Sequence, residues 1–238
     1  MVCPYIIFYQ EKPLCQDEQY YQFLGCLHYQ PNRIKLPGKL FVEGKHVAFV
    51  KKYSSNQCGE FNKKEISRYA GNLQDEALLN ECLTEVSDKL TCNVCYRKFP
   101  ISKQGTALNL GFAQTTSADL AKNLDGCDGI FLFAATLGIE IDRLIMKYGK
   151  LSPVKALIFQ AIGAERIEKL CDQFCEDMAK EETLKPRFSP GYGDLPLSLQ
   201  NDIFAALDCG KNIGLTLNDS MLMSPTKSVT AIVGIISK

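Results

Sequence analysis

Hydrophobic positions after residue 62 recur with the period of an α-helix in several segments. From Asp75 to Leu90 the apolar residues lie three and four positions apart, which predicts an amphipathic helix. The same spacing predicts helices over Ile139–Tyr148 and over Ser152 to about Lys180. Two shorter helices are expected, one that begins after Ser117 as its N-cap and ends near Gly126, and one from about Leu197 to Asp208.

Strand patterns are concentrated toward the end of the chain. A continuous apolar run over Ile130–Ala135 predicts a buried strand, and Val94–Ile101 reads as another strand. Further strands are expected over Ile213–Leu217, Met221–Met223 and Val229–Ile236. Because the strands cluster at the end and do not alternate regularly with helices, the pattern predicts an α+β fold.

Aromatic residues are distributed unevenly and indicate a domain boundary. Residues 1–62 contain 11 of the 23 Phe and Tyr residues, although they make up about a quarter of the chain. The polar stretch Tyr53–Glu60 separates them from the periodic segments that follow. The sequence therefore predicts an N-terminal appendage of unknown role over residues 1–62 and a folded domain over residues 63–238.

Composition and charge narrow the classes of function. Among the 238 residues, 27 Lys and Arg balance 27 Asp and Glu, so the basic excess that is typical of nucleic-acid binders is missing. No apolar run approaches the ~18 residues of a membrane helix. The first residues lack the basic segment of a signal peptide. We expect a cytoplasmic protein that binds neither nucleic acid nor membrane.

Cysteine and histidine limit the possible reactive sites. The odd number of eleven cysteines favours buried free thiols over a disulfide framework. Cys92-x-x-Cys95 has the spacing of a redox or zinc half-site, but residues three apart on a strand face opposite sides. Neither of the two histidines lies after residue 62, which excludes Ser-His-Asp or Cys-His catalysis within residues 63–238. We expect no metal site.

The loop after Pro186 carries the least generic chemistry. Gly191 and Gly193 allow positive φ angles and close approach of a ligand to the backbone, and Pro190 stiffens the loop. Arg187 offers a planar fork for a carboxylate or phosphate, and Tyr192 offers a ring for stacking. These residues fit a ligand with an acidic group and a flat heterocycle. From composition alone, a tight surface turn whose arginine pairs with a nearby carboxylate is the favoured explanation.

Three motifs in the same order connect the chain to a known family. Arg187-x-x-Pro-Gly-Tyr192 resembles a loop of the C-terminal reactivation domain of cobalamin-dependent methionine synthase. DGIFLFAATLGIEIDRL, over Asp128–Leu144, is similar to that domain's strand, turn and helix. LTLNDSMLMSPTKSV, over Leu215–Val229, is similar to its Leu-Thr-x-Ser-x-x-Met-x-Pro-x-x-Ser-Val segment. Residues 63–238 also look like the short, stand-alone members of this family, with Glu65–Gly71 near their start.

The resemblance implies an antiparallel sheet with packed helices and a role in reactivation. A domain of this family binds S-adenosylmethionine, docks over the cobalamin of a methionine synthase or another corrinoid protein, and lets reduction be trapped by methyl transfer. Flavodoxin or a similar donor supplies the electron. Carried over to this chain, Arg187 holds the methionine carboxylate, and Pro190, Gly191 and Tyr192 line the cofactor, with Gly191 and Tyr192 on the adenosine side.

Departures from the family pattern support an alternative role. An acidic residue of the family's long helix falls at Gly163, with Glu165 nearby. The aromatic segment that follows the strand matching Val229–Ile235 has no counterpart before Lys238. The alternative is a docking or assembly protein for a corrinoid enzyme that keeps the fold without binding S-adenosylmethionine.

Overall fold

The computed structural model describes residues 48–236, without the side chains of residues 55 and 56. By its contacts the chain divides into two units, Met1–His46 and Val47–Lys238, and the first of these lies outside the described residues. The second unit combines an antiparallel sheet with helices on both of its faces. The α+β prediction and the antiparallel sheet are therefore confirmed.

Helices and strands follow one another in a mixed order along the described chain. The helices are α1 (Lys63–Tyr69), α2 (Glu76–Val86), α3 (Ala118–Asn123), α4 (Glu140–Leu151), α5 (Pro153–Met178), α6 (Gln200–Leu207) and α7 (Cys209–Ile213). The strands are β1 (Phe49–Tyr53), β2 (Cys92–Pro100), β3 (Ser102–Gln104), β4 (Ala107–Asn109), β5 (Gln114–Thr116), β6 (Cys127–Thr136), β7 (Thr183–Leu184), β8 (Thr216–Leu217), β9 (Met223–Ser224) and β10 (Ser228–Ile236). Short 3-10 helices span Ser55–Cys58 and Leu197–Leu199.

The central sheet of residues 48–236 has five antiparallel strands in the order β1-β2-β6-β10-β7. Its middle strand, β6, pairs Ala135 with Val94 of β2 on one side and with Val229 of β10 on the other. The apolar run of β6 is continuous because both faces of this strand are covered. Consecutive residues such as Leu132 and Phe133 point to opposite faces and pack in different cores.

The two cores lie on opposite faces of the central sheet. The α5 core contains Ile158, Phe159 and Ile162 of α5, and the α6 core contains Ile203 and Leu207 of α6. Helix α5 is long because its apolar stripe follows the 3.6-residue period over seven turns and its first residue is proline, which suits a helix start. No helix within residues 48–236 is both long enough and apolar enough to span a membrane.

Residues before residue 63 belong to the central sheet and its core. Strand β1 pairs with β2 along its whole length, from Phe49 opposite Tyr96 to Tyr53 opposite Cys92. Cys58, which is fully buried, packs in the α5 core. The polar stretch that suggested a boundary is thus a connection between an edge strand and α1. Residues 49–62 lie with the sheet and not with an appendage.

Local differences from the expected elements have simple causes. The helix expected to end at Asp208 restarts as α7, because Asp208 adopts a left-handed conformation (φ 47°) at the join. Ile213 consequently ends a helix and does not begin a strand. Strands β3, β4 and β5 pair into a small separate sheet that sequence periodicity did not reveal, since each has only three residues.

Candidate functional site

The loop between β7 and α6 is fixed at two points. Near its start, Phe188 pairs with Ile232 of β10 through two backbone hydrogen bonds of 2.9 and 2.8 Å. Near its end, the Asp194 carboxylate accepts hydrogen bonds from the Ser117 hydroxyl and from the first backbone amides of α3. These hydrogen bonds, that of Ser117 first, lower the pKa of Asp194. The loop is therefore held as a rigid bridge between the sheet and α3.

The turn within this loop is closed by its own backbone. The amide of Gly191 donates to the Leu195 carbonyl at 2.9 Å, and the amide of Tyr192 donates to the Ser189 carbonyl at 3.1 Å. Gly191 has φ of 84° and Gly193 has φ of 55°, so the expected positive angles are present. A Cβ on Gly193 would lie 2.2 Å from the Asp119 carboxylate. The absence of a side chain there is explained by contact with α3, and not by approach of a ligand.

Arg187 lies against α5 between two carboxylates. Its Nη2 is 2.8 Å from Asp172 Oδ1 and 3.1 Å from Glu168 Oε2. The arginine side chain is 24 % exposed, and that of Glu168 is 28 % exposed. Burial raises the pKa of Glu168, which Arg187 opposes and Asp172 reinforces. The half-buried cluster of Arg187, Glu168 and Asp172 thus presents both a cation and carboxylates at the sheet edge.

The predicted binding residues do not all meet in one place. Arg187 contacts α5, whereas the adjacent Phe188 packs in the α6 core on the other face of the sheet. The Tyr192 ring lies edge-to-face on Phe188, with centroids 5.2 Å apart, and is 46 % exposed. Pro190 is buried. The structure therefore brings Tyr192 together with Phe188, and places Arg187 with two α5 carboxylates.

Glu168 and Asp172 are members of the site that sequence reasoning missed. They lie one helical turn apart, so they project from the same side of α5. This i,i+4 pair of carboxylates is visible in the sequence of α5, although the helix carries several other charged residues. Its partner across the chain, Arg187, could not be deduced from spacing.

Gly163, where the resemblance placed a missing acidic residue, is a packing contact. A Cβ at this position would come within 2.8 Å of Lys227 Cγ. The Lys227 amine donates to the Gln160 side chain, one turn earlier on α5. Burial lowers the pKa of Lys227, and Asp142 opposes this. The lysine therefore covers the helix where the family carries an acidic side chain.

Glu165 does not replace that acidic residue, because it is turned into a different environment. It is 5 % exposed, accepts a hydrogen bond from the Asn62 amide at 3.2 Å, and lies 3.3 Å from Arg166 Nη2. Arg166 is 2 % exposed, and its Nη1 donates to the carbonyls of Cys58 and Gly59 at 3.1 and 3.0 Å. This buried pair fastens the chain between β1 and α1 to α5.

The cysteines of the CxxC pattern face opposite sides of β2. Cys92 lies in the α5 core and Cys95 in the α6 core, as strand alternation requires. They therefore do not form a dithiol with each other. No cluster of three or more His, Cys, Asp or Glu side chains suited to a metal ion occurs in the part of the chain that the structure describes.

Comparison with known proteins gives a structural relationship. No family model and no curated protein sequence matches the chain. Among solved structures, the chain is similar to the MetH reactivation domain bound to AdoHcy. The TM-score is 0.63 at 16 % sequence identity, and the match covers 80 % of this chain and 79 % of that chain. At this level of identity the similarity shows the fold of the reactivation domain.

Proposed function

We propose that this protein binds S-adenosylmethionine at the Arg187 cluster and supports reductive remethylation of the cobalamin of a methionine synthase or related corrinoid methyltransferase. The observation that carries the proposal is Arg187 placed between Glu168 and Asp172 in a fold shared with a domain that binds AdoHcy. The motifs around this loop and at both ends of the domain support the same assignment.

The cluster has the charges that an amino-acid ligand needs. An α-carboxylate requires a cationic partner, which Arg187 supplies, and an α-ammonium requires carboxylates, which Glu168 and Asp172 supply. Both ion pairs that Arg187 makes within residues 48–236 use Nη2 and not Nη1 or Nε. The residues present therefore fit the methionine part of S-adenosylmethionine.

The net charge of the cluster favours the methylated form of the ligand. With both carboxylates ionised, two negative charges face one positive charge. S-adenosylmethionine carries one more positive charge than S-adenosylhomocysteine, at its sulfonium. An acidic excess in a half-buried site therefore attracts the cofactor more strongly than its demethylated product.

In this role the protein's residues bind and orient the cofactor. Arg187 holds the carboxylate, and Glu168 and Asp172 hold the ammonium. Tyr192, which packs on Phe188 of the α6 core, is not part of this cluster. When bound, S-adenosylmethionine supplies a methyl group that its sulfonium makes ready for transfer. No side-chain base is needed on this chain, because the methyl acceptor belongs to the partner.

Binding is tested by calorimetric titration of the full chain with S-adenosylmethionine and S-adenosylhomocysteine. We expect saturable binding of both, with S-adenosylmethionine about tenfold tighter, which corresponds to about 1.4 kcal/mol. Absence of heat and of a thermal shift with both ligands would contradict the binding proposal. Equal affinities would contradict the charge argument.

The reactivation role is tested with a methionine synthase truncated after its cobalamin-binding module. After oxidative inactivation, recovery of turnover should require this chain, S-adenosylmethionine and reduced flavodoxin together. Recovery that is independent of the chain would refute the role. A recovery that fails despite tight ligand binding would refute the role and leave the binding site intact.

The second candidate is a docking or assembly protein for a corrinoid enzyme. It is favoured by the ion pairs that Arg187 already makes and by Lys227, which fills the space over Gly163. This candidate predicts complex formation with a cobalamin-binding module that is unchanged by S-adenosylmethionine. The calorimetric titration separates the two candidates, since a docking protein gives no heat with the cofactor.

A further inference from the structure

The dipeptide Asp-Gly occurs twice in the chain, as Asp125-Gly126 and as Asp128-Gly129. In this dipeptide the amide nitrogen of the glycine can attack the carboxyl carbon of the aspartate side chain and close a five-membered succinimide ring. Glycine permits the attack because it has no Cβ and a wide range of backbone conformations. The two copies lie three residues apart, so the chain presents the same chemistry in two different surroundings.

Asp125-Gly126 lies in the exposed turn between α3 and β6. The side chain of Asp125 is 78 % exposed. The amides on either side of Gly126 are used, since Asp125 donates to the Lys122 carbonyl at 3.3 Å and Cys127 donates to the Leu124 carbonyl at 3.1 Å. The Gly126 amide donates no hydrogen bond to any group of residues 48–236. The nitrogen that would attack is therefore not engaged in the fold.

The main chain at Gly126 also has room to move. Gly126 has φ of 75°, and a Cβ built on it would have no atom within 4 Å. Ring closure requires rotation about the bonds of Asp125 until its carboxyl group faces the Gly126 nitrogen. An exposed turn without packing contacts allows this rotation at little cost.

Asp128-Gly129 belongs to β6, the middle strand of the central sheet. Gly129 is buried and lies opposite Pro100 of β2 on one side and Ile235 of β10 on the other. The carbonyl of Asp128 accepts a hydrogen bond from the Ile101 amide at 3.1 Å. The same ring closure here requires the sheet to open first, because both neighbouring strands fix the backbone.

An ion pair with the small sheet restrains the Asp125 side chain. Lys103 Nζ is 2.7 Å from Asp125 Oδ1, and this hydrogen bond and the charge of Lys103 lower the pKa of Asp125. An ionised carboxylate is a poorer electrophile than a carboxylic acid, so the ion pair slows ring closure. It does not prevent it, because water competes for the partners of an exposed ion pair.

We propose that Asp125 is a site of spontaneous modification in the folded protein, where aspartate is converted through a succinimide into isoaspartate. The proposal rests on the exposed turn, on the Gly126 amide that the fold leaves unused, and on the contrast with the same dipeptide inside β6. It does not depend on the proposed binding of S-adenosylmethionine.

The reaction needs water as its only co-reactant. A bond forms between the Gly126 nitrogen and the Asp125 Cγ, and the carboxyl hydroxyl leaves as water with the amide proton. Water then adds to the ring. Attack at the main-chain carbonyl carbon of Asp125 breaks its bond to the Gly126 nitrogen and gives isoaspartate, whereas attack at Cγ restores aspartate. One water leaves and one returns, and nothing is oxidised or reduced.

Isoaspartate changes the turn in two ways. The main chain then runs through the former side-chain carbon, so the turn is longer by one carbon atom, and the free carboxylate is no longer in the position that pairs with Lys103. The altered turn joins β6 to α3, whose first amides hold the Asp194 carboxylate. The modification therefore affects the connection between the central sheet and the helix to which the loop after Pro186 is fixed.

The test is incubation of the full chain in neutral buffer at physiological temperature, followed by an acid quench, digestion and mass spectrometry. The succinimide is detected as a peptide that is lighter by one water, and isoaspartate by its resistance to the protease Asp-N. We expect modification at Asp125 to be at least about tenfold faster than at Asp128, since the strand must open before it reacts. Equal rates would overturn the proposal. So would an unmodified Asp125 after a time in which a synthetic peptide of residues 120–130 has reacted.

Unfolding and two matched variants identify the cause of the difference. In urea the two sites should react at similar rates, and a tenfold preference that persists there would overturn the structural argument. Asp125→Glu should abolish the modification of the turn, because the longer side chain does not close a five-membered ring. Asp128→Glu is the control and should leave the rate at Asp125 unchanged.

Discussion

Arg166 belongs to the long helix α5 and Arg187 packs against it, and their surroundings give the two arginines different roles. Arg166 is 2 % exposed and is held by one carboxylate, two backbone carbonyls and the Phe61 ring, whose centroid lies 4.0 Å from the guanidinium carbon. Arg187 is 24 % exposed and faces two carboxylates on a loop. A buried arginine whose partners belong to the fold stabilises the fold, whereas a half-exposed arginine with excess carboxylates can exchange partners with a ligand.

The largest expected loss of stability follows from a truncation that removes the backbone partners of Arg166. A fragment that begins at residue 63 lacks β1, Cys58 and the carbonyls that Arg166 binds. We expect fragment 63–238 to be at least about 4 kcal/mol less stable to urea than fragment 47–238, because a buried charge is left without acceptors. Equal stability of the two fragments would restore the boundary predicted from the sequence.

Replacing Arg166 itself isolates the side chain from the backbone change. Arg166→Met leaves Glu165 buried without its cation, and we expect a loss of about 3–5 kcal/mol of unfolding free energy in urea titration. The double variant Glu165→Gln, Arg166→Met removes the unpaired charge and should recover a large part of that loss. If Arg166→Met costs less than about 1 kcal/mol, the buried pair is not what fastens this segment.

Replacing a carboxylate of the Arg187 cluster tests whether this cluster serves binding and not stability. Glu168→Gln removes one partner of the ligand ammonium and should weaken S-adenosylmethionine binding about tenfold, or about 1.4 kcal/mol. Its effect on unfolding should stay within about 1 kcal/mol, since the ion pair is part-exposed. Glu140→Gln, which alters an exposed ion pair with Arg143 on α4, is the matched control and should not change binding.

The pH dependence of binding provides an independent check on the same cluster. Burial places the pKa of Glu168 above its ordinary value, so this carboxyl takes up a proton as pH falls through that raised value. The cluster then loses a negative charge, and S-adenosylmethionine affinity should decrease toward acidic pH. A calorimetric series from neutral to mildly acidic pH should show this decrease in wild type and a flatter profile in Glu168→Gln.

The smallest expected effect concerns the attachment of β1. Asp177 near the end of α5 accepts hydrogen bonds from Lys180, Lys51 and Tyr53, in this order of effect, and they lower its pKa. A carboxyl with a lowered pKa stabilises the fold above its unfolded-state pKa, and this stabilisation is lost as pH falls. Asp177→Asn should therefore cost about 1 kcal/mol at neutral pH and less in acid, as urea titrations at both pH values will show.

The long helices and strands with a clear hydrophobic period could be predicted from the sequence. The three-residue strands and the contacts between distant segments could not. The apolar stripe of α5 repeats over several helical turns, and the apolar run of β6 covers most of a ten-residue strand. Both patterns are therefore unambiguous. Strand β1 was placed in the N-terminal appendage because local pattern does not show that it belongs to the central sheet. That depends on its pairing with β2, about forty residues later in the chain. The signal for Arg166 was present, since it lies four residues after the buried Ile162 on the apolar stripe.

The conformation of the loop after Pro186 could be predicted from the sequence, but the residues that contact it could not. Arg187 and the positive φ angles of Gly191 and Gly193 followed from residue type alone. The reason for Gly193 did not, because its neighbour Asp119 comes from a distant helix.

The most direct test of the central claim is calorimetric titration of wild type and Arg187→Ala with S-adenosylmethionine, accompanied by thermal melts. We expect at least ~30-fold weaker binding in Arg187→Ala, because truncating one side of a charge-assisted pair costs on the order of 2–5 kcal/mol. Arg187→Lys should recover part of the affinity, since an ammonium cannot make the forked contact. Unchanged affinity in Arg187→Ala, with only a lowered melting temperature, would show that Arg187 braces the loop against α5 and does not bind the cofactor.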